Sequence, residues 1–363
     1  MTTRSSRCSS WPPTSCPRPA SHRAACGTSS APGCCCRLVG GPVRPEARRL
    51  VAATLVALLA AGAGAQAAEG RFERGRLGTR DFRLYVPALL ADAAAAPPAT
   101  PLVLALHGCW QTPEDFARAT RLNAAAERRG LLVLYPAQPR QANPSRCWNW
   151  FTPARRDGGE AGELLALVAH VARRHAVARV LAVGFSAGAF MAVNLACVAP
   201  DVVTAVGASA GGPYRCATDP LAVVACLRGE GLRAETAATA CRAAMGGGAA
   251  PPRASLWHGD GDVVVSPAAL TALAGMFARL HGAGLAALER RADATRALYR
   301  DAAGRAVVET WLVTGMGHAW SGGDPRATHT FPSGPDATRH LLDFLLEAPD
   351  GGVDARRPGG GGG

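Results

Sequence analysis

The pentapeptide Gly184-Phe185-Ser186-Ala187-Gly188 sets a serine between two glycines, after an apolar run ending at Val183 and before a helical stretch opening near Ala187. A serine on so tight a strand-to-helix turn projects its hydroxyl past the carboxyl edge of a sheet. The flanking glycines remove the Cβ atoms that would collide across the turn. In a chain with 42 glycines the pattern also arises as an ordinary turn, so its partners decide. A serine hydroxyl is a weak nucleophile until a base takes its proton, and an acid must hold that base in one tautomer. Downstream, Trp257-His258-Gly259-Asp260-Gly261-Asp262 and then Thr314-Gly315-Met316-Gly317-His318 each follow an apolar run. The order is serine, acid, histidine. His318 is the candidate base ahead of His329 and His340, the latter falling on a C-terminal helix. Asp260 and Asp262 are both candidates for the acid, and either also suits a tight turn in which it accepts backbone N–H bonds.

A tetrahedral intermediate needs two N–H donors at its oxyanion. The residue after the nucleophile, Ala187, is the expected source of one, and the loop His107-Gly108-Cys109-Trp110 of the other, through Cys109 N–H. His107 also suits a plain role as a buried loop histidine bonded to backbone. The elements that must position these groups alternate along the chain. Residues 82–86, 102–106, 131–135, 180–183, 202–208, 254–257 and 307–313 read as strands. Helices are expected at about 114–129, 159–175, 267–282 and 336–347, and a loop at 88–100. Continuous apolar strands such as Leu102-Val103-Leu104-Ala105-Leu106 belong in a parallel sheet buried on both faces. Strand–helix alternation with the serine motif at a strand end predicts an α/β class chain with the α/β-hydrolase fold over 71–347. A small insertion near 210–252, carrying Cys216, Cys226 and Cys241, is expected as a lid beside the site.

The formal charge of +12 does not mark a nucleic-acid binder. Residues 1–67 hold eight Arg against Glu46 alone, which leaves +5 for everything after, with no basic run interleaved with aromatics. Residues 43–67 read as a signal peptide: Arg44, Arg48 and Arg49, an apolar Leu50–Ala61 stretch, then Ala65-Gln66-Ala67. The apolar stretch is too short to span a bilayer, so no membrane anchor is expected once the signal is cleaved. Residues 1–42 read as a spurious or disordered extension, with Val39 or Val43 as the start, or else as a Cys-rich pre-segment. Residues 348–363, ending in five glycines, read as a disordered tail. Six cysteines lie beyond the cleavage site, an even number in an exported chain, and six permit fifteen pairings. No cysteine or histidine spacing suggests a metal, and no cofactor is implied.

Taken together, His107-Gly108-Cys109 with Gln111-Thr112, Leu134-Tyr135-Pro136, Cys147-Trp148-Asn149-Trp150-Phe151, the serine pentapeptide, Gly211-Gly212-Pro213-Tyr214 and His318-Ala319-Trp320-Ser321-Gly322-Gly323 resemble the polyhydroxybutyrate depolymerase family of esterases. The likeness covers about 80–345, and the order of motifs is similar to that of type 1 extracellular depolymerases. The family pattern H-G-x-x-D-x-x-V falls on His258 to Val265 and selects Asp262 as the acid. The resemblance implies a secreted serine esterase acting on short-chain hydroxyacyl esters. Feruloyl or acetylxylan esterases and peptidases of the same fold are the catalytic alternatives, and a non-catalytic hydrolase-fold binding protein is the alternative of another class. Trp148, Trp150 and Trp320 fall in motif loops expected at the catalytic edge and are candidates to wall the substrate groove, or, for the first two, core anchors. Cys109 and Cys147, in motif loops on the same expected edge, are expected to be bridged, and Cys216 with Cys226 is the second candidate pair. No linker and polymer-binding domain follows the last motif, so weak attachment to granules is expected. Neither substrate choice nor oligomeric state is readable at this level.

Overall fold

The computed structural model describes residues 70–91 and 99–347, all within the compact unit Ala67–Gly363. The extension at 1–42, the signal at 43–67 and the tail at 348–363 lie outside the described residues. The chain opens with β1 (Arg71–Leu77), β2 (Arg80–Val86), α1 (Ala88–Ala91) and β3 (Thr100–Leu106). Next come α2 (Pro113–Thr120), α3 (Leu122–Arg129), β4 (Leu132–Pro136), α4 (Gly159–Ala172), β5 (Val177–Phe185), α5 (Ala187–Val198) and β6 (Val203–Ser209). After α6 (Val223–Leu227) and α7 (Ala234–Met245) follow β7 (Arg253–Gly259), α8 (Ala268–His281), β8 (Gly284–Arg290), β9 (Ala294–Arg300) and β10 (Ala306–Val313). The short strands β11 (Trp320–Ser321) and β12 (Thr330–Phe331) and helix α9 (Ala337–Leu346) end the described chain.

Ten strands form one sheet in the order β1-β2-β4-β3-β5-β6-β7-β10-β9-β8. The six strands from β4 to β10 run parallel, and antiparallel strands flank them on both sides. Side chains of β3 alternate between two cores. Leu102, Leu104 and Leu106 pack with α4, α5, α7 and α8, whereas Val103 and Ala105 pack with α2, α3 and α9. Full burial of one such aliphatic side chain contributes about 1.5–3 kcal/mol, so a strand buried on both faces is held strongly in register. The fold is the α/β-hydrolase fold that the strand–helix alternation and the serine turn imply.

Chain order reverses between β3 and β5, because β4 lies on one side of β3 and β5 on the other. Crevices form at the carboxyl ends of strands at such a switch point. The loop after β3 and the turn after β5 therefore face one crevice. Glycine is required where these two meet: a Cβ on Gly188 would run into the carbonyl oxygens of Leu106 and His107, and one on Gly184 into the Gly188 carbonyl.

Several elements differ from the sequence-based expectation. The helix expected over 114–129 is two helices, broken where Arg121 turns left-handed at φ 54°. Strands β1, β8 and β9, the short pair β11 and β12, and helix α1 within the expected 88–100 loop were not foreseen. Segment 210–252 holds α6 and α7, and α7 buries Ala237, Ala238 and Cys241 in the core beside α8. Disulfides Cys216–Cys226 and Cys197–Cys241 staple it, the second to α5. This segment is thus built into the helical layer. Among the described residues no helix is long and apolar enough to cross a membrane.

Candidate active site

Ser186 sits between β5 and α5 with φ 54° and ψ −124°, a conformation that non-glycine residues rarely adopt and that costs about 1–3 kcal/mol. Its N–H donates to Ser209 O at the end of β6, at 2.9 Å, which ties the turn to the neighbouring strand. The hydroxyl lies 2.8 Å from His318 Nε2, and His318 Nδ1 lies 2.8 Å from Asp262 Oδ2. The three side chains come from the loops after β5, β7 and β10, over 132 residues of sequence. With Nδ1–H donating to the carboxylate, Nε2 carries the lone pair that faces the serine.

Asp262 is held from both of its oxygens. Oδ1 accepts the N–H groups of Val264 and Val265, each at 2.9 Å. Oδ2 accepts from His318, and His258 Nε2 approaches the same oxygen at 3.4 Å while bonding Val265 O at 3.0 Å. Burial by itself would raise the Asp262 carboxyl. Hydrogen bonds from His258, His318 and the Val265 N–H, together with the nearby His318, outweigh burial and hold it well below the usual carboxylate range. Asp260 is exposed and does different work: its Oδ1 accepts the N–H of Gly315 at 2.8 Å, at the turn that leads to His318. Gly261 N also bonds Met316 O, at 3.0 Å, so the acid loop and the histidine loop are laced through backbone.

The other flank is the loop after β3. Among the described residues, the N–H groups of Cys109 and Ala187 have no hydrogen-bond partner, whereas Gly108 N is taken by Gln111 Oε1 at 2.9 Å and Trp110 N by Ser145 O at 2.7 Å. Cys109 is bridged to Cys147, which fixes this loop to the 143–150 segment. His107 is buried beneath it. Its Nε2 accepts from Gln138 N at 3.1 Å, so Nδ1 carries the proton and donates to Gly108 O at 2.8 Å. Burial pushes the His107 pKa down to about 4, against the opposing pull of the Gly108 carbonyl. His107 thus shapes the loop as a neutral ring.

That arrangement makes a pH prediction. The folded pKa lies below the unfolded value near 6.5, so the neutral ring's contribution is complete above about pH 6.5 and is lost as pH falls toward 4. The loss is on the order of 3 kcal/mol. Urea melts at pH 7 and pH 4 are expected to show a drop for the wild type that exceeds the drop for His107→Gln by that order. Equal drops would remove His107 from the acid lability.

The tryptophans require correction. Trp320 does not wall a groove, and Trp148 takes its other reading as a core anchor, because both are fully buried. Trp148 Nε1 donates to His107 O at 3.0 Å, with Arg80 stacked over its ring. Trp320 Nε1 donates to Thr338 Oγ1 at 3.1 Å, and its ring meets Phe116 edge-on. A large amphipathic ring with a satisfied N–H is stable in a core. Trp150 stacks on Phe190 of α5 at 4.1 Å and lines a small pocket of about 90 Å³ with Tyr214 and Arg215. The exposed apolar residues beside the site are instead Trp110, 64% exposed and next to Cys109, and Val263, 96% exposed and next to Asp262. Both lie within motifs read from the sequence, but neither was given a role there. His258 and Gln111 were quoted only as motif letters, and burial alone reveals their contacts.

Both fold and site fit the carboxylic ester hydrolases built on the α/β-hydrolase fold. An acetyl xylan esterase from Aspergillus awamori superposes with a TM-score of 0.62 at 18% identity, over 76% of this chain and 99% of that one. The chain belongs to the family described as "Esterase PHB depolymerase", whose profile matches residues 82–300. Among relatives, the poly(3-hydroxyalkanoate) depolymerase C of Paucimonas lemoignei is 34% identical over 236 residues, 61% of this chain and 55% of that protein. The poly(3-hydroxybutyrate) depolymerase of Ralstonia pickettii is 29% identical over 63% of this chain and 51% of its own length. Feruloyl esterase B of Neurospora crassa is 36% identical over 137 residues, 36% of this chain and 44% of that protein. The chain spans about half the length of the curated relatives it matches.

Proposed function

We propose that this protein is an exported serine esterase that hydrolyses short-chain hydroxyacyl esters, poly(3-hydroxybutyrate) or its oligomers, with Ser186 as nucleophile, His318 as base and Asp262 as orienting acid. The observation that carries this reading is the unbroken pair of 2.8 Å contacts from Ser186 Oγ through the His318 ring to Asp262. His318 Nε2 takes the Ser186 proton as Oγ bonds to the ester carbonyl carbon, and the carbonyl π pair moves to oxygen. The unpartnered N–H groups of Cys109 and Ala187 are the donors for that oxyanion. Collapse of the intermediate breaks the bond to the leaving alkoxide, which receives the proton from His318. Water then repeats the sequence on the acyl-enzyme and restores Ser186.

Three bridges using all six cysteines beyond residue 67 support an oxidising destination, in keeping with the signal-like segment 43–67. The depolymerases named among the relatives support the polyester reading. The match to feruloyl esterase B favours a second reading, in which the same machinery cleaves an ester on a plant polysaccharide. Initial rates on 3-hydroxybutyrate trimer, methyl ferulate and acetylated xylo-oligosaccharides separate the two. The trimer is expected to lead in kcat/KM by at least about tenfold, the discrimination of roughly one well-placed polar contact. A lead for either sugar-type ester reassigns the groove and leaves the acyl-transfer chemistry in place.

A further inference from the structure

Segment 324–330 supplies none of the three side chains of the Ser186–His318–Asp262 array, yet it is pinned beside them. Thr328 N donates to Asp115 Oδ1 at 3.3 Å, and the Thr328 hydroxyl is bonded to the other oxygen of the same carboxylate. Gln111 Nε2 donates to Thr328 Oγ1 at 3.2 Å while Gln111 Oε1 accepts from Gly108 N. One buried glutamine therefore couples this segment to the loop that carries the Cys109 N–H. One residue further along, His329 O accepts from Trp320 N at 2.8 Å, which anchors the other side.

Between the two anchors His329 is left-handed at φ 53°. Its ring lies 6.4 Å from the His318 ring, near perpendicular to it, and 5.9 Å from Phe185. The residue is partly exposed, and among the described residues its ring nitrogens have no hydrogen-bond partner. Glycine or asparagine would serve a plain surface turn in this conformation at less strain. An imidazole with free nitrogens, carried on a pinned backbone beside the base, is placed to meet whatever the base protonates. Partial burial, and then the neighbouring His318, push the His329 pKa down from its ordinary value, and a neutral imidazole carries one donor N–H.

We propose that His329 binds the leaving-group side of the substrate, donating to a carbonyl or carboxylate whose carbon is three bonds beyond the scissile ester oxygen. This rests on the assignment of His318 as the group that protonates the leaving oxygen. That oxygen must come within hydrogen-bond reach of His318 Nε2. In a 3-hydroxyacyl unit the chain continues from it through two carbons to the next carbonyl, a reach comparable with the separation of the two rings. Simple alkyl and aryl esters carry no hydrogen-bond acceptor at that point. His329 then distinguishes a hydroxyacyl leaving group from a plain alcohol, and depolymerisation from generic esterolysis.

A matched pair of butyrate esters tests this, one of methyl 3-hydroxybutyrate and one of 2-butanol. They share the acyl group and the secondary alkoxide, and differ in the distal carbonyl. Butyrate release by the wild type is expected to favour the first by about tenfold in kcat/KM, the effect of one hydrogen bond with good geometry. His329→Ala, and His329→Gly, which suits the left-handed backbone, are expected to cut that preference to about twofold and to leave the 2-butyl ester within twofold of wild type. Comparing variant with wild type cancels the different acidity of the two alcohols. A preference unchanged in both variants, no preference in the wild type, or an equal loss on both esters overturns the proposal. Because the pair carries neither a sugar nor a feruloyl group, a failure of the polyester reading on the substrate panel is a separate result.

Discussion

Ser186→Ala is expected to lower kcat by roughly 10⁴–10⁶-fold, the range for loss of a nucleophile in a three-residue relay. The variant removes one oxygen and keeps the backbone turn, whose geometry is fixed by Ser186 N on Ser209 O and by the close approach of Gly188 to the end of β3. Its unfolding midpoint should therefore stay near that of wild type. KM should change little, since the groove walls and the Cys109 and Ala187 N–H groups are untouched. Steady-state rates on a chromogenic butyrate ester, with a thermal melt as the folding control, are sufficient. A variant that keeps more than about one hundredth of the wild-type kcat would mean that water or another side chain performs the attack, far outside the expected range.

Replacing the acid is the second large effect, and it separates two neighbouring aspartates. Asp262→Asn is expected to lower kcat by about 10⁴-fold, because an amide N–H₂ facing His318 Nδ1 favours the tautomer whose Nε2 is already protonated. Asp260→Asn should cost less than about tenfold: its contact is to Gly315 N, on the turn leading to His318, and an amide oxygen can still accept that bond. The pH dependence follows. Asp262 is held below the usual carboxylate range, so it stays ionised through mildly acidic conditions, and its protonation would abolish activity only at a pH below that range. An acid limb in kcat/KM near neutrality therefore belongs to another group. If Asp260→Asn proved the more damaging substitution, the acid would be misassigned.

How much of this was legible beforehand follows from where each signal is stored. The inner strands were plain because β3, β4, β5, β6, β7 and β10 bury residues on both faces and so read as continuous apolar runs. β8 was invisible for the opposite reason: along Gly284–Arg290 nearly every residue is exposed, so neither alternation nor an apolar run marks it. Arg121 broke the predicted 114–129 helix without a proline or glycine to announce it. The serine turn, the acid and the histidine stood at strand ends in a recognisable order. The sequence did not say whether a tryptophan in a motif loop faces solvent or core. Trp148 and Trp320 are both anchored through Nε1 by partners far along the chain, His107 O and Thr338 Oγ1, and those contacts exist only once the fold has formed. The same holds for Gln111, whose amide holds Gly108 N and reaches Thr328 across 217 residues. The Cys197–Cys241 bridge was missed because Cys197 lies inside an apolar helix and offers no local cue.

The central claim is that acyl transfer passes through Ser186 Oγ, activated by His318. Its most direct test is to treat the purified protein with a fluorophosphonate and locate the adduct by peptide mass spectrometry. One phosphonyl group per chain, carried on the peptide that contains Gly184-Phe185-Ser186-Ala187-Gly188 and absent from Ser186→Ala, is the predicted result. An adduct on another residue, or none from an enzyme that still cleaves butyrate esters, would contradict it.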